Sequence, residues 1–381
     1  MTSMELRGIE LADRRGRPVL DGFDLDLPEG STTALCGPAG AGKSAVLRVL
    51  VGLTRPDAGD VLVDGHVVNA VGPRDRDLAL VPQDYALHPR LDVHDNLAFA
   101  SRLRRGHDKV ALAERIDEVA STLALDGLLD ARPVHLDDAQ RQRVSIGRAL
   151  VRDALGYLFD EPFSAQSDRV RTHVRSVTTE WQREAGRTSL FTTSHPDEAL
   201  TLADRVAVVH RGVVHQVGAP EEVYDRPADL FVAAFLGRSP MNLLPARRVG
   251  DRLVTPVADL PLAGPLASAV GDRELVVLGV RPEHCTDDAV AADGLVVTSR
   301  VDDVEWRGGT QLVHLGYDLE DDVQHVLEGV EDTLDFDLFQ QFFVAELAPS
   351  PRRRPGATVR VGAPLDRVLV FDPATGRRLG A

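Results

Sequence analysis

Short apolar runs alternate with helical patterns along the chain as far as about residue 236. Five runs in this part have the length and apolar character of strands: TTALCG, DVLVDG, LALVPQ, LGYLFDEP and TSLFTTSH. The segment RVAVVHRGVVHQVG predicts a hairpin that turns at Arg211 and Gly212. Strands that alternate with helices in this way are typical of an α/β fold whose sheet is largely parallel.

Helices are predicted where apolar residues recur every three or four positions. One helix is expected directly after Gly42, and a second over residues 108–125. The apolar face of the second helix consists of Leu112, Ile116, Val119, Ala120 and Leu123. With its neighbours, this helix predicts a helix-rich insertion over about residues 86–155, between two groups of strands.

The pattern changes beyond residue 237. Short strand-like runs, separated by Gly, Pro and Asp turns, follow one another: LVVLGV, LVVTSRV, TQLVHLGY, ATVRVG and RVLVFD. They predict a small, all-β, barrel-like domain that consists of one barrel or a pair of barrels. The acidic stretch 316–343 lacks a strand pattern, and we expect it to be an exposed loop or a short helix inserted in that domain. The sequence therefore predicts one domain over 1–237 and another over 238–381.

Composition restricts the kinds of partner. The chain has 381 residues, of which 43% are hydrophobic, and a formal net charge of −16. That charge disfavours binding to nucleic acid or directly to anionic lipid. No apolar run of transmembrane length and no signal-peptide core is visible. The two cysteines, Cys36 and Cys285, lie in different halves of the chain, so we expect no disulfide framework and a reducing, cytoplasmic setting.

A phosphate-binding loop is predicted at residues 37–44. Their sequence, GPAGAGKS, fits the pattern G-x-x-x-x-G-K-[ST], and it lies between a predicted strand and a predicted helix. Backbone N–H groups and the helix N-terminus would hold phosphate oxygens, Lys43 would reach the β and γ phosphates, and Ser44 would bind Mg²⁺. A glycine-rich turn that contains Lys-Ser by chance is the alternative. The predicted loop residues are Gly37, Pro38, Ala39, Gly40, Ala41, Gly42, Lys43 and Ser44.

Two carboxylates end the apolar run YLFDEP. Asp160 at the carboxyl end of a strand beside a phosphate loop is expected to hold Mg²⁺. Glu161, the next residue, is expected to polarise an attacking water. The alternative is that both are solvated residues at a strand end, which the phosphate loop makes less favourable.

Taken in order, GPAGAGKS, VPQDYALHP, QRQRVSIGRAL, YLFDEP and TTSHPDEALTLADRVAVVHRG resemble the motifs of ABC transporter ATPase subunits. The continuations FVAAFLGRSPMNLL, LGVRPEH and LVFDPATGRRL resemble one branch, the subunits of sugar, polyol and glycerol-phosphate importers of the maltose type. The resemblance covers nearly the whole chain. It implies a P-loop ATPase domain with a helical subdomain, followed by a regulatory domain of the OB/TOBE type.

The resemblance also implies partners and further site residues. Two ATPase subunits lie beneath two membrane permeases on the cytoplasmic face of the membrane, with a solute-binding protein, and bind ATP and Mg²⁺ between them. Gln83 matches the glutamine that links the metal site to the permease, and His195 matches the histidine that contacts the γ phosphate. Without the resemblance, Gln83 would be an ordinary polar residue after a strand and His195 a structural histidine.

The chain departs from the family at the signature, Leu-Ser-Gly-Gly-Gln, which lends a serine hydroxyl and backbone N–H groups to the neighbour's ATP. Here the sequence is Leu136, Asp137, Asp138, Ala139 and Gln140. Two like charges roughly 5 Å apart repel by about 3 kcal/mol at an effective dielectric of about 20. The plainer interpretation is that Asp137 or Asp138 caps the following helix.

Two smaller departures from the family pattern accompany the altered signature. Ser167 stands where the family has an aspartate, with Asp168 one residue further on, and Arg14 or Arg15 stands where the family stacks an aromatic ring on adenine. Three assemblies remain open: a heterodimer with an intact subunit, which we prefer; a homodimer with impaired turnover that acts as a regulatory or structural module; and a slowly hydrolysing homodimer. A soluble ABC ATPase for DNA repair or translation is the remote alternative.

Overall fold

The structure is a computed structural model that describes residues 2–102, 108–152, 154–163, 186–237, 239–287 and 294–380. The chain divides into two compact units, Met1–Val223 and Tyr224–Ala381. The domain boundary expected after residue 237 falls inside the second unit. None of the described helices combines the length and the apolar character needed to cross a membrane.

A six-stranded sheet forms the centre of the first unit. Its strands lie in the order β10-β9-β3-β8-β7-β6, and all are parallel except β10, which pairs antiparallel with β9. Every residue of β7 and β8 is buried, as expected of parallel strands that are covered on both faces. The strands are β3 (Thr32–Cys36), β6 (Leu78–Val81), β7 (Gly156–Phe159), β8 (Thr188–Thr193), β9 (Arg205–His210) and β10 (Val213–Gly218). The predicted parallel sheet and its hairpin are confirmed.

A second sheet of the first unit is antiparallel, in the order β2-β1-β4-β5. Its strands are β1 (Met4–Ala12), β2 (Pro18–Leu27), β4 (Ala58–Val63) and β5 (His66–Val67). The run DVLVDG is thus a strand, but it lies outside the parallel sheet. Strands β1 and β2 were not predicted, although Phe23, Leu25 and Leu27 are buried and alternate with Asp24 and Asp26 in the manner of a half-exposed strand.

Six helices are described in this unit's part of the chain. They are α1 (Lys43–Leu50), α2 (Val93–Arg102), α3 (Lys109–Thr122), α4 (Asp138–Val151), α5 (Pro196–Leu202) and α6 (Pro220–Asp225), within which the boundary between the units falls. In α1, Val46, Leu47 and Leu50 pack into the core that Leu35 of β3 also enters. Helix α3 begins where Asp108 accepts a hydrogen bond from the N–H of Val110. Its predicted apolar face is buried, apart from the half-buried Leu112.

The second unit is built mainly from antiparallel strands. A six-stranded sheet has the order β13-β12-β11-β14-β20-β21, β15 pairs with β19, and a third sheet has the order β16-β17-β18. The strands are β11 (Asn242–Val249), β12 (Arg252–Val254), β13 (Asp259–Pro261), β14 (Leu275–Val280), β15 (Leu295–Arg300), β16 (Asp303–Arg307), β17 (Thr310–Gly316), β18 (Phe342–Leu347), β19 (Thr358–Ala363), β20 (Leu369–Phe371) and β21 (Arg378–Leu379). All five predicted runs in this unit are strands.

Helices are also present there, so the unit is not all-β. They are α7 (Leu230–Phe235), α8 (Gly264–Val270) and α9 (Asp321–Leu334). Helix α9 lies in the acidic stretch that was expected to be a loop or a short helix, and it is 14 residues long. Val323, Leu327 and Val330 recur at helical spacing and pack against Phe371 and its neighbours in a separate apolar cluster. Burial of this stripe stabilises a helix whose remaining surface is acidic.

Candidate functional site

The glycine-rich loop connects β3 to α1, as the sequence predicted. A Cβ atom at Gly37 would lie 2.1 Å from the carbonyl oxygen of Val209, so only glycine fits there. Gly42 has a φ of 96° and is the residue from which α1 starts. The loop therefore brings the N-terminus of α1 and the backbone of residues 37–42 to the carboxyl edge of the parallel sheet, where ligands bind in open α/β sheets.

Lys43 is the first residue of α1, and only 5% of it is exposed. Its Nζ atom donates hydrogen bonds to the carbonyl oxygens of Gly37, at 2.8 Å, and Pro38, at 2.9 Å. The same nitrogen lies 3.7 Å from Oε1 of Glu161. The ammonium group is thus positioned beside the loop and beside the carboxylate that follows β7, where it can meet the terminal phosphates of a nucleotide.

Ser44 and Asp160 are brought together from opposite parts of the chain. The Ser44 hydroxyl donates to Oδ1 of Asp160 at 3.0 Å, and Oδ1 also accepts from the Thr192 hydroxyl at 2.8 Å. Thr192 in turn accepts a hydrogen bond of 2.9 Å from the backbone N–H of Glu161. Hydroxyl and carboxylate oxygens are the ligands that Mg²⁺ prefers, so Ser44 and Asp160 fit the proposed ion.

Thr192 was missed at the sequence level. It lies in β8, which pairs in parallel with β7, so that Phe159 faces Phe191 and the next residues, Asp160 and Thr192, meet at the sheet edge. The sequence feature that could have identified Thr192 is the pair Thr192–Thr193, which ends an apolar run shortly before a histidine. The buried Thr192 therefore fixes the carboxylate of Asp160 and the backbone of Glu161.

Gln83 joins this cluster, whereas the side chain of His195 does not. The Gln83 side-chain Nε2 donates to Oε2 of Glu161 at 3.3 Å. Glu161 itself has a φ of 45°, a conformation that is unusual for a residue other than glycine. His195 precedes α5, its backbone N–H donates to the Thr193 hydroxyl at 3.0 Å, and the residue is exposed.

At the start of α4, residues of the signature segment form hydrogen bonds with one another. Asp137 is the N-cap of α4, and its carboxylate accepts a hydrogen bond of 2.7 Å from the N–H of Gln140. The Gln140 side chain accepts one of 2.9 Å from the N–H of Asp137, which completes a capping box. Asp138 lies in the first turn and pairs with Arg141 at 3.1 Å. Capping by one of the two aspartates was the plainer interpretation, and Asp137 is the residue that does it.

Two of the other departures from the family are only partly visible. Residues 164–168, among them Ser167 and Asp168, lie outside the described residues. Arg14 and Arg15 are exposed in the turn between β1 and β2, where the N–H of Arg15 donates to the Asp13 carboxylate at 2.8 Å.

The other end of α4 holds the loop that carries Gln83. Arg148 donates to the carbonyl oxygens of Ala86, at 2.6 Å, and Tyr85, at 3.0 Å, and the Ser145 hydroxyl donates to Tyr85 at 2.9 Å. Tyr85 and Ala86 have φ values of 62° and 42°, which cost energy for residues with a side chain. Side chains of α4 therefore keep a strained loop in place two residues beyond Gln83.

Comparisons with known proteins point in one direction. The family model described as "ABC transporter" matches residues 20–164. The sn-glycerol-3-phosphate import ATP-binding protein UgpC of Burkholderia thailandensis is 37% identical over 386 residues, which is 100% of both chains. The protein of that name from Cereibacter sphaeroides is 41% identical over 314 residues, 82% of this chain and 87% of its own. A solved ATP-binding cassette, a dimer bound to ADP and Pi in a post-hydrolysis state, has 24% identity and a TM-score of 0.52 over 57% of this chain and 98% of its own.

Proposed function

Because this chain belongs to the family of ATP-binding subunits of ABC importers, we propose that it drives uptake of sn-glycerol-3-phosphate or a related sugar or polyol solute. The chain is an ABC-type ATPase subunit, and the solute is the part proposed here. The observation that carries the solute class is full-length similarity to relatives named as sn-glycerol-3-phosphate import proteins. Since the match extends through the second unit, it is more specific than a match to the ATPase domain alone would be.

In this proposal the clustered residues bind and hydrolyse Mg-ATP. The loop 37–44 holds the phosphates, Lys43 neutralises the β and γ phosphates, and Ser44, Asp160 and Gln83 hold Mg²⁺. Glu161, which hydrogen-bonds to Gln83, orients the attacking water. His195 contacts the γ phosphate, which requires its exposed side chain to turn toward the loop.

Separate permease subunits carry the solute, with a solute-binding protein outside, and the chain works at the inner face of the membrane through the permeases. We prefer a heterodimer with an ATPase subunit that has an intact signature. Asp137 and Asp138 place negative charge where a neighbour's γ phosphate would bind, whereas the clustering of Lys43, Ser44, Asp160 and Glu161 supports a working site for this subunit's own nucleotide. The second unit is proposed to be a regulatory domain of the OB/TOBE type.

The alternative of a subunit without significant turnover receives no support from the relatives, which are named as import ATP-binding proteins. A role in DNA repair or translation is likewise unsupported by these relatives. The proposal therefore keeps ATP hydrolysis, at a rate that depends on the partner's signature.

The solute is tested by reconstituting the subunit with its permeases in liposomes and measuring ATP-dependent uptake of labelled sn-glycerol-3-phosphate. We expect uptake that a sugar such as maltose does not inhibit. Uptake of maltose that sn-glycerol-3-phosphate leaves unaffected would select a sugar within the proposed class, and uptake of neither glycerol phosphate, sugar nor polyol would overturn the proposal.

The nucleotide site is tested separately, by calorimetry with Mg-ATP. Lys43→Ala should abolish measurable binding, because a buried ammonium beside the phosphates is lost. Lys109→Ala, which removes an exposed lysine at the start of α3, is the matched control. Equal affinity in Lys43→Ala and the control would contradict the assignment of the loop.

A further inference from the structure

Three consecutive arginines, Arg352, Arg353 and Arg354, follow β18 in the second unit. With Pro351 and Pro355 they form what we call the arginine turn, residues 351–355. This concentration of positive charge occurs in a chain whose formal net charge is −16. It has no part in the nucleotide site, which lies in the first unit.

Buried groups hold the arginine turn in shape. Gln311 of β17 is fully buried, and its Nε2 donates to the carbonyl oxygens of Ala348, at 2.6 Å, and Pro351, at 2.9 Å. Its Oε1 accepts a hydrogen bond of 2.9 Å from the N–H of Arg353. The Arg353 guanidinium pairs with Asp287. The turn is thus fixed by a buried amide, and its middle arginine is already neutralised.

The remaining arginines around the turn carry charge that the described residues do not balance. Arg352, Arg354 and Arg360 are exposed, and no carboxylate in the described part of the chain pairs with them. Arg300 of β15 lies beside the turn, since its Nε donates to the carbonyl oxygen of Gly356, the residue that follows the turn, at 3.4 Å. Like charges gathered around one turn repel one another, so an anion would be stabilised among them.

Two open cavities flank the arginine turn. One, of about 230 Å³, is lined by Arg352, Arg354 and Pro355 and by the indole of Trp306, which is 54% exposed. The other, of about 420 Å³, is lined by Arg352, Arg354, Arg360 and Thr358, and also by Asp287, whose carboxylate is paired with Arg353. Both volumes suit a small molecule, and both offer guanidinium forks to it.

We propose that the arginine turn is a binding site for a small phosphate-bearing anion. Guanidinium groups bind phosphate oxygens bidentately, and Thr358 adds a hydroxyl donor beside them. A small ligand with one or two charges is attracted mainly by the nearby arginines, because charges more than about 8 Å away are screened at physiological salt. An extended polyanion such as a membrane surface or nucleic acid would also meet the acidic remainder of the chain. The inference does not depend on the proposed transport function.

Trp306 provides a local readout of binding. Trp181 is the other tryptophan of the sequence, so a full-length Trp181→Phe chain reports on Trp306 alone. Titration with inorganic phosphate and with sn-glycerol-3-phosphate should change its fluorescence saturably, with calorimetry as an independent measure. Arg352→Ser with Arg354→Ser should weaken binding at least about tenfold, since hydrogen bonds to charged groups contribute about that factor or more.

Two controls separate this site from others. Arg247→Ser with Arg252→Ser removes two positive charges from β11 and β12 of the same unit and should leave affinity unchanged. The response should also survive Lys43→Ala, which disables the nucleotide loop. Equal binding by the arginine-turn variant and its control would overturn the proposal. A response to chloride as strong as to phosphate, or binding only to phosphatidylglycerol vesicles, would do so too.

Discussion

At the scale of single residues, the site depends on one buried hydroxyl. Thr192 donates to Asp160 and accepts from the backbone of Glu161, so it orients the carboxylate proposed to bind the metal and the residue proposed to orient water. The positive φ of Glu161 is a strained backbone conformation, which persists only where surrounding contacts such as this hydrogen bond hold it. Removal of the Thr192 hydroxyl should therefore lower the rate of ATP hydrolysis more than the affinity for the nucleotide.

Thr192→Val tests this dependence. We expect kcat for ATP hydrolysis in the assembled transporter to fall about tenfold or more, while the affinity for Mg-ATP changes little, because Lys43 and the loop remain. Thr33→Val is the matched control: Thr33 is also fully buried, in β3, and its hydroxyl has no hydrogen-bond partner among the residues that the structure describes. Similar kcat values for the two variants would show that Thr192 serves packing alone.

The signature aspartates give a second prediction at this scale. Asp137→Ser with Asp138→Gly and Ala139→Gly restores the family signature and keeps the capping box, because serine also caps and Gln140 remains. ATP hydrolysis in the assembled transporter should rise, since two negative charges leave the place of a neighbour's phosphate. Asp108→Ser, which changes the cap of α3 in the same way, should have no effect on turnover. If the triple variant assembles and its turnover is unchanged, the signature does not limit this site.

At the scale of elements, α4 connects two parts of the machinery. Its first turn carries the altered signature, and its last turns hold the strained loop beyond Gln83 through Arg148 and Ser145. Gln83 itself reaches Glu161. A displacement of α4 therefore acts on the loop directly, through hydrogen bonds to its backbone.

Arg148→Met should loosen the loop beyond Gln83, because it removes the hydrogen bonds to the carbonyl oxygens of Tyr85 and Ala86. Loss of the two hydrogen bonds should lower the free energy of unfolding by about 2 kcal/mol, and stimulation of ATP hydrolysis by the permeases should weaken. Arg143→Met is the control, because Arg143 also projects from α4 but donates to Leu123 and Ala124 at the end of α3. Thermal unfolding and ATPase assays with and without permeases separate the two effects. Equal losses of stimulation would contradict a specific role for Arg148.

At the scale of the whole molecule, the sequence predicted local features better than distant ones. The phosphate loop, Asp160 and Glu161 could be proposed from the sequence because the motif and the strand end are each continuous in it, and the structure brings these residues together. Thr192 was missed because its place depends on the register of two parallel strands. Strands β1 and β2 were missed because their sheet is half exposed and its alternating pattern is interrupted by bulges. Helix α9 forms because its apolar stripe finds a core, which its acidic composition does not reveal.

Each unit contains one buried cysteine, so the stability of the two units can be measured in one experiment. Burial raises the pKa of both Cys36 and Cys285 to about 12, which keeps the thiols protonated and unreactive at neutral pH while the chain is folded. Alkylation rates, resolved by mass spectrometry, should therefore report opening of each unit. Mg-ATP at 100 times its Kd should slow labelling of Cys36, which directly precedes the loop, by about 100-fold.

Labelling of Cys285 should respond to Mg-ATP much less, because nucleotide binds to the first unit. Lys43→Ala should remove the protection of Cys36 without changing the rate at Cys285. Equal protection of both cysteines would mean that the two units open as one cooperative body.

The capping box at Asp137 has a consequence for how the subunit exists before assembly. A helix N-terminus attracts an anion, and here the chain supplies that counterion covalently. The positive end of the α4 dipole is therefore already compensated within the single subunit, without the phosphate of a neighbour's nucleotide. In the proposed heterodimer, any electrostatic attraction across this surface would therefore have to come from groups of the partner subunit.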